Sequence, residues 1–369
     1  MQTALLMQAL EVAERAAIAA AEYSGRGDKH TADQVATEAM REAFNAIDFA
    51  GRIVIGEGER DEAPMLFIGE QVGKGWLRES AGESAVGGAG AGAGVAASAG
   101  AGAPGVASAA ADTGDAASTT AAAVEPAEQF DIAVDPLEGT NLCAYNRPNA
   151  VTTLAIAPQG ALLAAPDTYM WKLAAGPAAA ATGLLHIDKS PAENIQIVAD
   201  ALGKPIADVN VCILLRDRHD ELIAQVRATG ARIRLIDDGD VFGAIATAIP
   251  NTGYDIYLGS GGAPEGVLAA AGLKAIGGFF MGRLAFELDK DGASKRARAE
   301  LTAGVDLDAA LSMDDLVRSD NTAFIATGVT DGEMLAGVQT SSSGAVTTSS
   351  VVMNSADKSI RFIQTTRHL

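Results

Sequence analysis

FDIAVDPLEGTNLCAY, residues 130–145, contains an apolar run that stops at an acid, Asp135. Phe130–Val134 reads as a buried strand, because short apolar runs bounded by turn signals pack inside sheets. Pro136 pins the chain as it leaves. A second acid, Glu138, follows three positions after the first, and Gly139 and Thr140 can open a helix whose free N–H groups face an anion. In open α/β sheets ligands bind where strands end. Two hard oxygen donors beside an anion cradle suit Mg²⁺ or Mn²⁺. The same letters also fit an acidic turn in which Asp caps its own backbone, so the neighbouring stretches must decide.

Three of them repeat the pattern. VIGEGERDEAP, residues 54–64, puts Glu57, Glu59, Asp61 and Glu62 directly after a strand-like run, and acids so crowded repel one another unless a cation sits among them. LGSGGAPEG, residues 258–266, places Glu265 after the strand-like YDIYL and a glycine-rich turn. It fails as a dinucleotide fingerprint, since the last glycine of GxGxxG falls on Pro264. LIDDGDV ends the run RIRLI with Asp237, Asp238 and Asp240, polar groups suited to sugar hydroxyls or to turn chemistry.

The chain has 369 residues, 48% of them hydrophobic, enough for a large core, and carries a formal charge of −20. So few cations cannot form the broad basic face that nucleic acid or an anionic membrane requires. A phosphate bound here must meet a metal ion or a few placed Arg and Lys. Cys143 and Cys212 lack zinc or CxxC spacing and read as ordinary thiols of a reducing compartment. The N-terminal MQTALLMQALEVAERAAIAAAEY is an amphipathic helix rather than a signal peptide, and no apolar run approaches the ~18 residues of a membrane span. His30, His186, His219 and His368 show no ligand spacing and read as structural or solvated. Arg26-Gly27-Asp28 reads as a turn between helices.

Residues 79–127 are Ala/Gly/Ser-rich, without aromatic, Lys or Arg side chains, and are expected to form a disordered surface insertion. Closing such a loop costs little, so its flanks can still pack together. Before it, a second helix is expected over TADQVATEAMREAFNAI with Thr31 as N-cap, then strands at 52–58 and 65–69. After it come strands FDIAV and TTLAIA. Helices and strands then alternate from SPAENIQIVADALG to EGVLAAAGLKAIG, and the chain ends with strand TAFIATG and a hairpin of VTTSSVVM and SIRFIQTT. This rhythm indicates an α/β protein. It divides on sequence into an α+β unit over 1–185, holding the metal and phosphate groups, and an α/β sugar-binding unit over 186–369.

Seven stretches in order, GRGDKHTAD, VIGEGERDEAPM, DIAVDPLEGTNL, APDTYMWKL, DDGDV, GSGGAPEGV and ATGVTDGEML, closely resemble the class II fructose-1,6-bisphosphatases, including bifunctional fructose-1,6-/sedoheptulose-1,7-bisphosphatases. The resemblance covers nearly all of the chain outside the insertion. It implies an αβαβα sandwich of helix and sheet layers, the fold of the lithium-sensitive sugar and inositol phosphatases. It also implies divalent-metal-dependent hydrolysis of a sugar bisphosphate, with Mn²⁺ or Mg²⁺ as cofactor, in a cytoplasmic homo-oligomer, dimer or tetramer; a photosynthetic eukaryote would hold it in the plastid stroma. Carried over by position, the metal ligands fall on Asp33 and Glu57 for one ion and Asp135, Glu138 and Glu265 for the other. Substrate contacts fall on Lys29, Glu138, Gly139, Thr140, Tyr169, Arg216, Asp217, Arg218, Asp238, Gly239, Asp240 and Gly262. Asp61 or Thr140 orients or deprotonates the attacking water, although Thr140 also suits a helix cap and Tyr169 a core position. Two departures stand out: Asp217 replaces the proline usual between the two basic residues, and the insertion replaces a shorter connection. The competing readings are a monophosphatase of the same superfamily and a catalytically silent scaffold.

Overall fold

A computed structural model describes residues 1–58, 65–76, 128–302 and 304–368. The expected insertion at 79–127 and the acids Glu59, Asp61 and Glu62 lie outside the described residues. Two helices open the chain, α1 (Thr3–Ala21) and α2 (Lys29–Ala46). In α1 the buried Leu6, Leu10, Ala13 and Ala17 recur at helical spacing, and in α2 Ala32, Ala36, Met40 and Phe44 do so, giving each helix one apolar stripe. The N-cap of α2 is Asp28 rather than the expected Thr31. Its carboxylate accepts the Thr31 N–H at 3.0 Å and the Thr31 hydroxyl at 2.6 Å, which a threonine at the cap would not match.

Under these helices lies an eight-stranded mixed sheet of β1 (Ala50–Ile55), β2 (Gln71–Val72), β3 (Gln129–Glu138), β4 (Val151–Pro158), β11 (Ala323–Gly328), β12 (Gln339–Thr340), β13 (Ala345–Asn354) and β14 (Ser359–His368). β1 and β3 run parallel, and the expected C-terminal hairpin is β13–β14. A second, six-stranded sheet has the order β10 (Leu311–Ser312), β9 (Phe279–Leu284), β5 (Tyr169–Ala175), β8 (Ile256–Gly262), β6 (Asn210–Leu214), β7 (Arg232–Ile236). The last strands of the chain therefore return to the sheet of the first.

Alternation along the strands separates three apolar layers. Ile53, Ile132, Leu154, Ile156 and Ile325 face α1 and α2. Ala133, Ala155, Ala157 and Ala326 face the other way, onto α7 (Ala263–Ala275), which lies between the sheets. Small side chains let that helix approach closely, and between Glu265 in its first turn and Lys274 in its last α7 is apolar all round, as a helix enclosed by two sheets must be. Met170, Cys212 and Tyr257 of the second sheet close the middle layer. Leu173, Val211, Ile213 and Leu258 on its outer face carry α4 (Pro191–Leu202) and α5 (Asp220–Thr229). The order is helix, sheet, helix, sheet, helix.

Besides the two-residue β2, β10 and β12, two longer strands have no clear signal in the sequence. β5 reads YMWKLAA, and a lysine at its centre interrupts the apolar run; β9, FFMGRL, has an arginine. Conversely, residues 65–69 form no strand. Leu66 takes φ 51°, and its N–H is held by the buried carboxylate of Glu70, which also pairs with Arg41. The carbonyl of Leu66 and the N–H groups of Ile68 and Gly69 bond to Glu57, Gly58 and Ile53 in and just past β1, so the segment is tied to that strand by scattered bonds without forming a ladder.

Candidate active site

Asp135 and Glu138 are three positions apart, an odd spacing that in a regular strand sends side chains to opposite faces. The register of β3 on β4 prevents this. Asp135 lies opposite Thr153 and Glu138 opposite Val151, so three steps on one strand match two on the other. The extra residue is a bulge, which re-aims the side chains and accommodates Pro136, a residue with no N–H to give to the ladder. Carboxylate oxygens of Asp135, Glu138 and Glu265 consequently lie within 4.8 Å of one another. Asp33, from the second turn of α2, and Glu57, just past β1, line the same cavity of about 410 Å³. All five acids expected as metal ligands are thus brought together.

Three strand-to-helix junctions meet at this cavity. Gly139, at φ 81°, leads into the short α3 (Thr140–Ala144), Gly239, at φ 85°, into α6 (Asp240–Ala246), and Gly262 into α7. At Gly139 and Gly239 the left-handed backbone favours glycine. At Gly262 the reason is space, because a Cβ would lie 2.0 Å from Glu265 Oε2. Thr140 is half-buried at the cavity wall. Glu138 Oε1 accepts the Val241 N–H at 3.1 Å, tying the bulge of the first sheet to the α6 junction of the second.

The electrostatics are those of a cation site. Burial, reinforced by Asp33 and Glu265, pushes Glu57 up to about 8. Burial raises Asp135 and Glu138 well above the usual carboxylate range, and Asp33 and Glu265 are raised for the same first cause. Glu265 Oε2 is buried with no hydrogen-bond partner among the described residues, a costly state for a carboxylate oxygen unless something else binds it. Hard oxygen donors at this spacing, with one oxygen orphaned, fit a divalent metal ion.

Beyond the acids the second sheet supplies the groups expected to meet the rest of a substrate. Tyr169 pairs with Gly262 across β5 and β8. The Arg218 guanidinium lies 4.6 Å above the Tyr169 ring. Arg216 donates to the Asp237 carbonyl at 2.6 Å and pairs with Asp238 at 3.3 Å, and Asp238 lines the cavity. Asp240 forms a buried ion pair with Lys172, Nζ to Oδ2 2.5 Å. Asp217 is exposed in the turn before α5, and Lys29 is exposed one helical turn ahead of Asp33. Asp61 lies outside the described residues.

The profile of the family described as bacterial fructose-1,6-bisphosphatase, glpX-encoded, matches residues 3–118 and 118–367. The chain belongs to this family. Proteins named D-fructose 1,6-bisphosphatase class 2/sedoheptulose 1,7-bisphosphatase are similar to it along almost their whole length. That of Thermosynechococcus vestitus is 40% identical over 374 residues, spanning 99% of this chain and 96% of the relative. Those of Synechocystis sp. and Gloeobacter violaceus are 41% and 39% identical over 373 residues, with the same two shares.

At or behind this cavity lie three further polar residues, Lys172, Asp167 and His219, that the motifs do not single out. Lys172 occupies the centre of β5 and acts on Glu265 to oppose its rise in pKa. The only signal in the sequence was a charge inside an apolar strand. Asp167, also in APDTYMWKL, lines the cavity. His219 is fully buried, as a structural histidine should be, but its partner is Ser260 of β8, two residues from Gly262. Nothing in the sequence links positions 219 and 260.

Proposed function

We propose that the chain hydrolyses the 1-phosphate of fructose 1,6-bisphosphate to fructose 6-phosphate and inorganic phosphate with Mg²⁺ or Mn²⁺, and also accepts sedoheptulose 1,7-bisphosphate. One observation carries this reading: five acids from α2, the segment just past β1, β3 and α7 converge in one cavity, with Glu265 Oε2 buried and without a partner among the described residues. Without positive charge among them such a cluster only destabilises the fold. Asp33 and Glu57 would hold one ion, and Asp135, Glu138 and Glu265 the other. Bound there, divalent cations neutralise the phosphate oxygens and make water nucleophilic near neutral pH.

The chain's own groups do the rest. Backbone N–H groups at the Gly139–Thr140 junction receive the reacting phosphate, the Thr140 hydroxyl orients the attacking water, and the Asp61 carboxylate takes its proton. Arg216 and Arg218 bind the distal phosphate by charge-assisted bonds. Tyr169, Asp238 and Gly239 contact the sugar. Asp240 contributes through Lys172, whose charge keeps the base of the site from becoming purely anionic. Two arginines separate from the acid cluster favour a substrate with two phosphates over a monophosphate.

We further propose a cytoplasmic homo-oligomer, or a stromal one in a photosynthetic eukaryote. Both cysteines are buried and unpaired, which supports a reducing compartment, and the outer strand β14 exposes Phe362, which supports contact with a second copy. No described helix is long and apolar enough to cross a membrane. The decisive experiment measures initial phosphate release from both bisphosphates and from their monophosphates with Mg²⁺, Mn²⁺ or chelator. Metal-dependent release from fructose 1,6-bisphosphate is expected, and comparable release in chelator would overturn the assignment.

A further inference from the structure

Arg218 is held on two sides by the protein itself. Its Nε donates to the Ser260 hydroxyl at 2.8 Å and its Nη2 to the Ser260 carbonyl at 2.9 Å, while the Tyr169 ring supports one face. Ser260 is fully buried and is itself oriented from behind. His219 Nε2 lies 2.9 Å from Ser260 Oγ and accepts the Ser260 N–H at 2.8 Å; His219 Nδ1 lies 2.8 Å from the Leu214 carbonyl.

Only one protonation pattern satisfies these contacts. A carbonyl cannot donate, so Nδ1 carries the proton; a backbone N–H cannot accept, so Nε2 carries the lone pair. Ser260 Oγ then donates to Nε2 and turns its own lone pairs toward Arg218 Nε. Burial, with Arg218 and Arg216 nearby, lowers the pKa of His219 and keeps the ring neutral, in agreement with that pattern. The ring needs room as well: Gly259, at φ 149°, sits where a Cβ would lie 3.2 Å from His219 Cε1.

We propose that His219 and Ser260 are positioning residues that fix the Arg218 guanidinium for the distal phosphate, and so set the preference for a bisphosphate over a sugar carrying only the 1-phosphate. With Nε and one N–H of Nη2 occupied by Ser260, the remaining guanidinium N–H groups are left for the ligand. Their direction is set by the protein, so less side-chain entropy is lost on binding. The inference rests on Arg218 binding the distal phosphate, as assigned above.

The test compares kcat and KM for fructose 1,6-bisphosphate and fructose 1-phosphate, with saturating Mn²⁺, in the full chain and its variants. Ser260→Ala removes the Nε acceptor. It should raise KM for the bisphosphate about tenfold with kcat within about twofold, shrinking the preference over fructose 1-phosphate by the same factor. Ser260→Thr, which keeps the hydroxyl, should recover most of it. Arg218→Lys, at a half-buried position that does not endanger folding, keeps the charge but cannot make the paired bonds to Ser260, and should lose the preference similarly. A Ser260→Ala variant that keeps the wild-type preference, or weakens both substrates equally, overturns the inference, as does Arg218→Lys with the preference intact. Failure of the functional reading looks different: wild type then shows no metal-dependent turnover, and both fall. Should Arg218→Ala lose the preference while Ser260→Ala keeps it, only the positioning role is refuted.

Discussion

Glu57→Gln should stabilise the metal-free protein while destroying its activity. Glu57 ionises near pH 4.5 in an unfolded chain and only at about 8 in the folded one, held there by burial and by Asp33 and Glu265. Between those values the folded state retains a proton that the unfolded state has lost, so stability falls as pH rises through this window. Each pH unit removes about 1.4 kcal/mol, which makes the penalty about 3 kcal/mol at pH 7. At about 2 cal/mol/K of unfolding entropy per residue, a 369-residue chain converts that penalty into roughly 4 °C of Tm. The glutamine does not ionise and escapes the penalty. Thermal unfolding of both proteins in chelator, from pH 4.5 to 8, should show equal Tm at the acid end and a widening gap in favour of the variant. Added Mn²⁺ should raise the wild-type Tm more than the variant's and close the gap. Equal Tm at pH 8 without metal, or a gap independent of pH, would refute the claim that crowded, desolvated carboxylates are what a metal relieves here.

Other perturbations read different parts of the same construction. Asp135→Ala and Glu265→Ala should each lower metal-dependent turnover by about three orders of magnitude with an unchanged circular dichroism spectrum, and calorimetry should show lost ion uptake. Gly262→Ala places a methyl 2.0 Å from Glu265 Oε2 and should weaken Mn²⁺ binding at least about tenfold through displacement of that carboxylate, measurable by titration. Lys172→Met strands the buried Asp240 carboxylate; denaturant unfolding should show a loss of about 3–5 kcal/mol, and a loss under about 1 kcal/mol would mean the pair is not buried in solution.

Much of the fold was legible because it is local. Helical stripes such as Leu6, Leu10, Ala13 and Ala17, and alternation such as Ile132 against Ala133, are properties of neighbouring residues and of the backbone period. β5 and β9 were missed because Lys172 and Arg283 break that pattern, and their partners, Asp240 and Asp188, belong to other segments. Residues 65–69 differ for the opposite reason: they are an apolar run whose left-handed turn at Leu66, held by the Glu70 side chain, breaks the ladder that its bonds to the end of β1 would otherwise form.

The candidate site divides in the same way. By itself the sequence determined which acids end strands and which glycines precede helices, because both depend on chain direction and local turn chemistry. Tertiary structure alone decided that Asp135 and Glu138 point the same way, since the bulge exists only against β4. It placed Asp33 and Glu265 on one cavity, as the family resemblance implied, and it alone joined Lys172 to Asp240 and His219 through Ser260 to Arg218. Each of these meetings spans tens to hundreds of residues and is fixed by sheet register and layer packing, which no short window of sequence contains.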